Sequence, residues 1–270
     1  TDINGSRPVF NAYDDEVWLR DPYLHRVTHN GKTKFHLIHT WGWDHPALFH
    51  WESDDLIHWT AANGGTRTDD GKIMLMDGHD GGPVSPNAWA PEFTYDGQTG
   101  TFYLYWSSRI GDRQVHHYCT TKDWLTFSTP AVYFDPGFTA IDMTILKEGD
   151  TYYAYYKDER NGEKTIRCAT SKSLDPRVQR FEGSTPLLPS RYIEVEGPEV
   201  FPAMGGKGWF LYFDKFNGDR GVSYTGCTDP SQHKWYPIPD DEIRNPTEVK
   251  HGSVEIISTA ELEKLLEHFK

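Results

Sequence analysis

Cysteine is scarce in this chain. Cys119, Cys168 and Cys227 make an odd count with no C-x-x-C pair, which counts against a zinc site and a disulfide framework. They read as small buried apolar residues. Long apolar runs are also missing: nothing approaches the roughly 18 consecutive apolar residues of a membrane helix. Positive charge is short, with 27 Lys and Arg against 40 Asp and Glu and a net charge of -13. That sets aside nucleic acid and an anionic membrane surface as the main partner. Thr1-Asp2-Ile3-Asn4-Gly5 carries no basic and apolar leader, so either none existed or it has been removed.

What is abundant is aromatic. Ten Trp and a 14% aromatic share go with a mean hydropathy of only -0.68. This combination fits a β-rich chain whose aromatics line polar sites, and equally a Trp-rich core. At 270 residues the chain can bury a sizeable core.

The aromatics fall in short β-type runs separated by Gly, Asp and Asn turns. Four are aromatic strands: Phe35 to Thr40, Phe102 to Ser107, Tyr152 to Lys157 and Trp209 to Asp214. Each follows a turn rich in Gly, Asp or Lys. Each precedes another strand: Leu48 to Asp55, Val115 to Asp123, Ile166 to Ser173 and Val222 to Asp229. Upstream lie shorter strands, aligned as Asp21-Pro-Tyr-Leu, Trp89-Ala-Pro-Glu-Phe, Asp142-Met-Thr-Ile and Glu196-Gly-Pro-Glu-Val, with a fifth start at His251-Gly-Ser-Val. Their first residues are 68, 53, 54 and 55 positions apart. Repeats of this size with several strands each mark a β-propeller.

The expected fold is therefore all-β: one five-bladed β-propeller over residues 1–270 with a short C-terminal helix. Pro8-Val9-Phe10 is expected to complete the fifth blade. Asp77 to Pro83 reads as a long loop between the first two blades. A two-sheet sandwich is the competing reading, but it offers no reason for repeated units. Leu262, Leu265, Leu266 and Phe269 have helical spacing, with Thr259 as the candidate cap.

The first strand of each propeller blade lines the central channel. Aligned ends converge at one mouth, so Asp21, Trp89, Asp142, Glu196 and His251 are expected together. Gathered like charges are costly unless their pKa values separate or a ligand lies between them. Two carboxyl groups flanking a cleft are the equipment of glycoside hydrolysis, and a third can tune the acid. Trp41, Trp43 and Trp89 are candidates for a sugar platform. Lys157 and Asp214, with Asp158 and Glu159 nearby, end second strands and could reach substrate hydroxyls. Glu194 is a rival to Glu196, whereas Glu92 and Glu199, each after a Pro, read as scaffold. The tyrosines at 103, 105, 153, 155 and 212 read as packing between blades.

Taken together, Arg20-Asp21-Pro22, Asn87-Ala88-Trp89-Ala90-Pro91, Ile141-Asp142, Glu196-Gly197-Pro198, His251-Gly252-Ser253 and the Ser53 to Trp59 segment resemble glycoside hydrolase family 43. The resemblance runs from about residue 15 to 258, and its specificity lies in the order and spacing of the motifs. It implies an inverting glycosidase with Asp21 as general base, Asp142 tuning and orienting the acid, and Glu196 as general acid. It also implies a calcium ion or water cluster on the axis, with His251 beside it, and no organic cofactor. Asp142 departs from the family pattern, since Met143-Thr144 follows it where many members have Pro-Ser.

The substrate expected from the resemblance is a terminal α-L-arabinofuranosyl unit on a plant-type polysaccharide or oligosaccharide, removed by exo action. β-Xylosidase and exo-β-galactosidase activities stay open, as does a non-catalytic sugar-binding propeller. A polymeric substrate and the processed-looking start lean toward secretion or the periplasm. The unpaired cysteines lean toward the cytoplasm.

Overall fold

A computed structural model describes residues 19–62, 71–188, 194–216, 221–243 and 250–269. Four antiparallel sheets carry them. The first holds β1 (Leu19–His29), β2 (Lys32–Trp41), β3 (Ala47–Ser53), β4 (Thr60–Ala61) and β5 (Lys72–Met74), with β4 and β5 both paired to β3. The second runs through β6 (Trp89–Asp96), β7 (Thr101–Ile110), β8 (Arg113–Thr121) and β9 (Ala131–Phe134). The third is β10 (Ala140–Glu148), β11 (Thr151–Asp158), β12 (Ile166–Ser171) and β13 (Glu182–Pro186). The fourth is β14 (Val195–Pro202), β15 (Trp209–Lys215), β16 (Gly221–Cys227) and β17 (Tyr236–Ile238). Each sheet is a propeller blade whose first four strands pair in chain order from the axis outward, with β5 added beside β3 in the first.

Strand alternation explains why the aromatic strands are apolar on both faces. Successive residues point to opposite sides of a sheet, and the second and third blades are each flanked by two others. Phe102, Leu104 and Trp106 of β7 pack toward the first blade, with Ile38 and Leu48. Tyr103 and Tyr105, one residue out of phase, pack toward the third with Ala154 and Tyr156. Tyr153 and Tyr155 turn the other way and meet Leu211 and Phe213 of the fourth blade, while Tyr212 is buried separately. The three cysteines are unpaired and buried. Burial pushes the Cys227 thiol up to about 12 and those of Cys119 and Cys168 further.

Two tight turns repeat. Ser53 Oγ accepts from the Leu56 amide and Asp55 Oδ1 from those of Ile57 and His58. Thr121 Oγ1 and Asp123 Oδ1 do the same for Trp124, Leu125 and Thr126. Side chains of this kind mimic a backbone turn, so the Ser53 to Trp59 motif is a blade corner.

The expected fifth blade is not found among the described residues, which form four. His251 onward has no strand assignment, and the chain enters the helix α1 (Thr259–His268) soon after. The segment still lies along the inner edge of β1, but it pairs through side chains. Ser253 Oγ accepts from the Leu24 amide at 2.6 Å, and Glu255 Oε2 from the Arg26 amide at 2.9 Å. These contacts occupy donors that a ladder partner would otherwise use. Pro8-Val9-Phe10 lies outside the described residues. The Asp77 to Pro83 stretch is a loop holding one short turn of 3-10 helix at His79–Gly81. The cap of α1 is Ser258, one residue before the expected Thr259. Ser258 and Glu261 exchange side-chain to backbone hydrogen bonds in a capping box, and Leu265 anchors the helix on Phe35 and Leu56.

Candidate active site

The inner strands share a local irregularity that builds the site. In β1, Arg20 pairs with Thr40 but Tyr23 pairs with Ile38, so one extra residue is inserted. The same slip follows Trp89 in β6, Ile141 in β10 and Glu196 in β14. Such bulges re-aim side chains and recur beside functional sites. At each, the next residue has left-handed backbone: Asp21 (φ 50), Ala90 (φ 45), Asp142 (φ 56) and Gly197 (φ 56).

This corrects the expected alignment. Asp21 and Asp142 are equivalent to Ala90 and Gly197, whereas Glu196 is equivalent to Arg20, Trp89 and Ile141. Glu196 thus reaches the mouth from the position before the bulge. Aligning Pro22, Pro91 and Pro198 would have shown the true register. In the fourth blade the bulge residue is Gly for a second reason: a Cβ there would sit 3.0 Å from His251 Cγ.

A cleft of about 640 Å³ opens at this mouth, with Asp21, Asp142, Glu196, Trp43, Trp89, Asp214 and His251 among its lining. Seven of the nine residues singled out from the sequence therefore meet. Trp41 does not line it; its ring stacks on His45 at 3.9 Å, under Lys72, against Phe49. Lys157 is buried behind the wall, its Nζ 2.6 Å from both Glu196 Oε2 and Glu159 Oε1. It is a partner for acids rather than a free hand for substrate hydroxyls. Glu194 is not among the lining residues.

Each carboxylate has its own surroundings. Asp142 is buried; its amide donates to Ser107 Oγ, and its Oδ2 accepts from the Gly197 amide at 3.0 Å. Burial raises its pKa, opposed by His251 and Lys157 and reinforced by Glu196 and Asp21. Asp21 Oδ2 accepts from Thr40 Oγ1 at 3.2 Å, and Oδ1 lies 3.6 Å from His251 Nδ1. Glu196 holds Lys157. Burial alone would pull the Lys157 pKa down, but Asp142, Glu196 and Glu159 outweigh it and the net direction is up. Asp214 Oδ2 accepts from the His251 amide at 2.6 Å, while its Oδ1 is buried and unpartnered. Burial lifts Asp214 to about 6. Burial would also lower His251, yet Asp142, Asp21, Asp214 and Glu196 together raise it.

The profile of a family described as a probable glycosyl hydrolase domain, related to family 43, matches residues 1–263. The chain belongs to the family 43-related glycoside hydrolases. Among curated proteins, this glycoside hydrolase is 27% identical over 244 residues to an α-L-arabinofuranosidase of Bifidobacterium longum subsp. longum. The match takes in 73% of the chain but only 22% of that longer protein. Among solved structures, a thermostable family-43 glycoside hydrolase superposes with a TM-score of 0.62 at 21% identity, covering 88% of this chain and 79% of the other. The catalytic domain of a Coprinopsis cinerea family 62 α-L-arabinofuranosidase gives 0.58 at 15%, covering 84% and 70%. At such identities these two likenesses speak for the fold.

Several lining residues were not singled out from the sequence as site residues: Arg20, Ile141 and Lys250, while Glu159 was expected, beside Lys157, as a strand end able to reach substrate hydroxyls. The signal available for Arg20 was its place one residue before Asp21, equivalent to Glu196 once the bulges are aligned. Glu92 and Glu199 are buried below the mouth, as scaffold was expected to be. Tyr105 Oη donates to Glu92, and Thr144 Oγ1 and the Val254 amide donate to Glu199.

Proposed function

We propose that this glycoside hydrolase acts by inversion and in exo fashion, removing terminal α-L-arabinofuranosyl units from plant-type polysaccharides or oligosaccharides. The observation carrying the reading is the meeting of Asp21, Asp142 and Glu196 in one cleft rimmed by Trp43 and Trp89. The sugar choice is supported by the similarity to an arabinofuranosidase. The indoles at the rim favour a pocket closed at one end.

In this mechanism Glu196 gives its proton to the glycosidic oxygen, and Asp21 takes a proton from the water that attacks the opposite face of the sugar. Asp142 orients the acid through the chain: it holds the amide of Gly197, the residue next to Glu196. Lys157, pinned between Glu159 and Glu196, fixes where the Glu196 carboxyl points.

An axial calcium ion beside His251 does not fit this donor set. Calcium asks for six to eight oxygen ligands. Among the described residues no three imidazole or carboxylate donors on the axis lie close enough to share an ion. No step here uses a metal.

The test is Glu196→Gln against the wild type on aryl arabinofuranosides, xylosides and galactosides, with the anomer of the first product read by NMR. Inversion with loss of turnover in the variant is expected, most severely for substrates with poor leaving groups. Unchanged product yield in Glu196→Gln would remove the acid assignment, and a retained anomer would remove inversion.

A further inference from the structure

Arg20 is held across the cleft mouth by contacts that leave one of its donors unused. Its Cζ sits 3.5 Å above the centroid of the Trp43 ring. Trp43 is in turn fixed by Trp89, whose Nε1 donates to the Trp43 carbonyl at 2.6 Å and whose ring meets it edge-on at 5.9 Å. A guanidinium stacked on an indole is attracted to the ring face and keeps its planar fork of donors in a fixed direction. The neighbouring Asp21 does not absorb that fork. Arg20 Nη2 stands 3.8 Å from Asp21 Oδ1, beyond hydrogen-bonding distance. Nη1 is shielded from solvent and, among the described residues, has no hydrogen-bond partner. Buried donors are rarely left unpaired, and this one belongs to a residue lining the cleft.

We propose that Arg20 is a specificity-determining residue whose Nη1 donates to a hydroxyl oxygen of the glycone, on the side of the sugar next to Asp21. The proposal rests on the glycosidase reading of the cleft and adds the ligand of one side chain. Five carboxylates line the same cleft: Asp21, Asp142, Glu159, Glu196 and Asp214. A uronate carboxylate would meet their repulsion, so the acceptor is a neutral hydroxyl. Because Trp43 holds the guanidinium in place, the sugar does not have to order it on binding.

The experiment compares wild type, Arg20→Ala and Arg20→Lys on an aryl glycoside that the wild type hydrolyses and on its monodeoxy analogues. A hydrogen bond from a charged donor predicts a fall in kcat/KM of about 10- to 100-fold for Arg20→Ala on the parent sugar. On one deoxy analogue, the one lacking the contacted hydroxyl, wild type and variant should agree within about 3-fold, because the interaction is already gone. Added guanidinium ion should restore part of the Arg20→Ala activity on the parent sugar and none on that analogue. Arg20→Lys keeps charge without the fork, and should show the same deoxy signature with a smaller loss; it carries the test if the alanine variant folds poorly. An equal loss on every analogue, or no loss at all, overturns the proposal. A wild-type preference for a uronoside that disappears in Arg20→Ala overturns the hydroxyl assignment. If the wild type cleaves no aryl glycoside, the reading of the reaction fails, and binding of free arabinose, xylose and galactose is then followed by saturation-transfer NMR. Weaker binding of one of these sugars to Arg20→Ala supports the Arg20 contact, and equal binding refutes it.

Discussion

Replacing Lys157 by Met should move the basic limb of the pH–rate profile upward. Lys157 Nζ lies 2.6 Å from Glu196, the proposed acid, and 2.6 Å from Glu159, and its side chain is only 3% exposed. Methionine matches its length without the charge. In the variant, the two carboxylates lose the cation between them and Asp142 loses a nearby one. Removing a positive charge favours the protonated form of a neighbouring acid, so the acid should stay protonated to higher pH. At about 4 Å and an effective dielectric of about 20, one such charge is worth about 4 kcal/mol. The Glu196 side chain is 29% exposed, and water entering beside methionine screens much of that, leaving about 1–2 kcal/mol. This corresponds to a shift of about one pH unit. The assay is kcat/KM from pH 4 to 9 on a poorly activated glycoside, where proton donation limits the rate. The acid limb should move much less. The absolute rate should also fall, by about 10-fold or more, because the acid loses the contact that aims it. A basic limb that stays in place, or moves down, would refute the coupling of Lys157 to the acid.

Other perturbations test the scaffold under the mouth. Gly197→Ala should lower activity with a modest loss of stability, since it places a Cβ 3.0 Å from His251 Cγ at a φ of +56°, where a non-glycine residue costs about 1–2 kcal/mol; kinetics and thermal melts check both. Stability should fall as pH rises from about 5 to 8. Burial lifts the Glu199 carboxyl from its ordinary 4.5 to about 8, so the fold keeps a proton that the unfolded chain has released. The stabilisation is complete below 4.5 and is lost as pH rises toward 8. Glu199→Gln should flatten this dependence in melts taken across that range. Ser258→Ala should cost about 1 kcal/mol through loss of the α1 capping box, read by denaturant unfolding.

Most of the fold was legible because blade packing imposes a strict pattern. The second strand of each blade is buried on both faces, so it must be aromatic or aliphatic at consecutive positions, as in Phe102 to Trp106. The turns before it need Gly or Asn, and Gly31, Gly149 and Asn30 supply left-handed backbone there. Blade number was not legible from the starts of the repeats. His251-Gly-Ser-Val resembles a fifth start, yet Ser253 and Glu255 meet the inner strand with side chains. The site was legible in composition but not in register. A bulge adds a residue at the same depth in four strands, which breaks the period of two that a strand otherwise keeps. Glu196 was chosen for being in line with Asp21 and Asp142; it lines the cleft with them although it is not in line. Trp41 and Lys157 show a further limit. Strand position put both near the mouth, but the packing of Trp41 on His45 and the pairing of Lys157 with two glutamates depend on neighbours far apart in sequence.

The cleft gathers like charges and must keep their roles apart, and it does so by giving each carboxylate a different kind of partner. Asp142 is buried and tied to a backbone amide, so its place is fixed by the chain that carries the acid. Glu196 is partly exposed and meets a mobile type of side chain, but one clamped from behind by Glu159. Among the described residues Asp21 meets a hydroxyl, the edge of an imidazole and, at 3.8 Å, the guanidinium of Arg20, which lies over Trp43. That last contact has a consequence for catalysis. Were Arg20 to close the 3.8 Å gap to Asp21, it would stabilise the base as a carboxylate but weaken its pull on the proton of water. In the proposed mechanism the Trp43 and Trp89 pair would act on the base as well as on the sugar. Trp43→Ala should release Arg20 onto Asp21, moving the acid limb of the profile to lower pH while slowing the step above it. A Trp43→Ala enzyme with an unmoved acid limb would show that the indole serves the substrate alone.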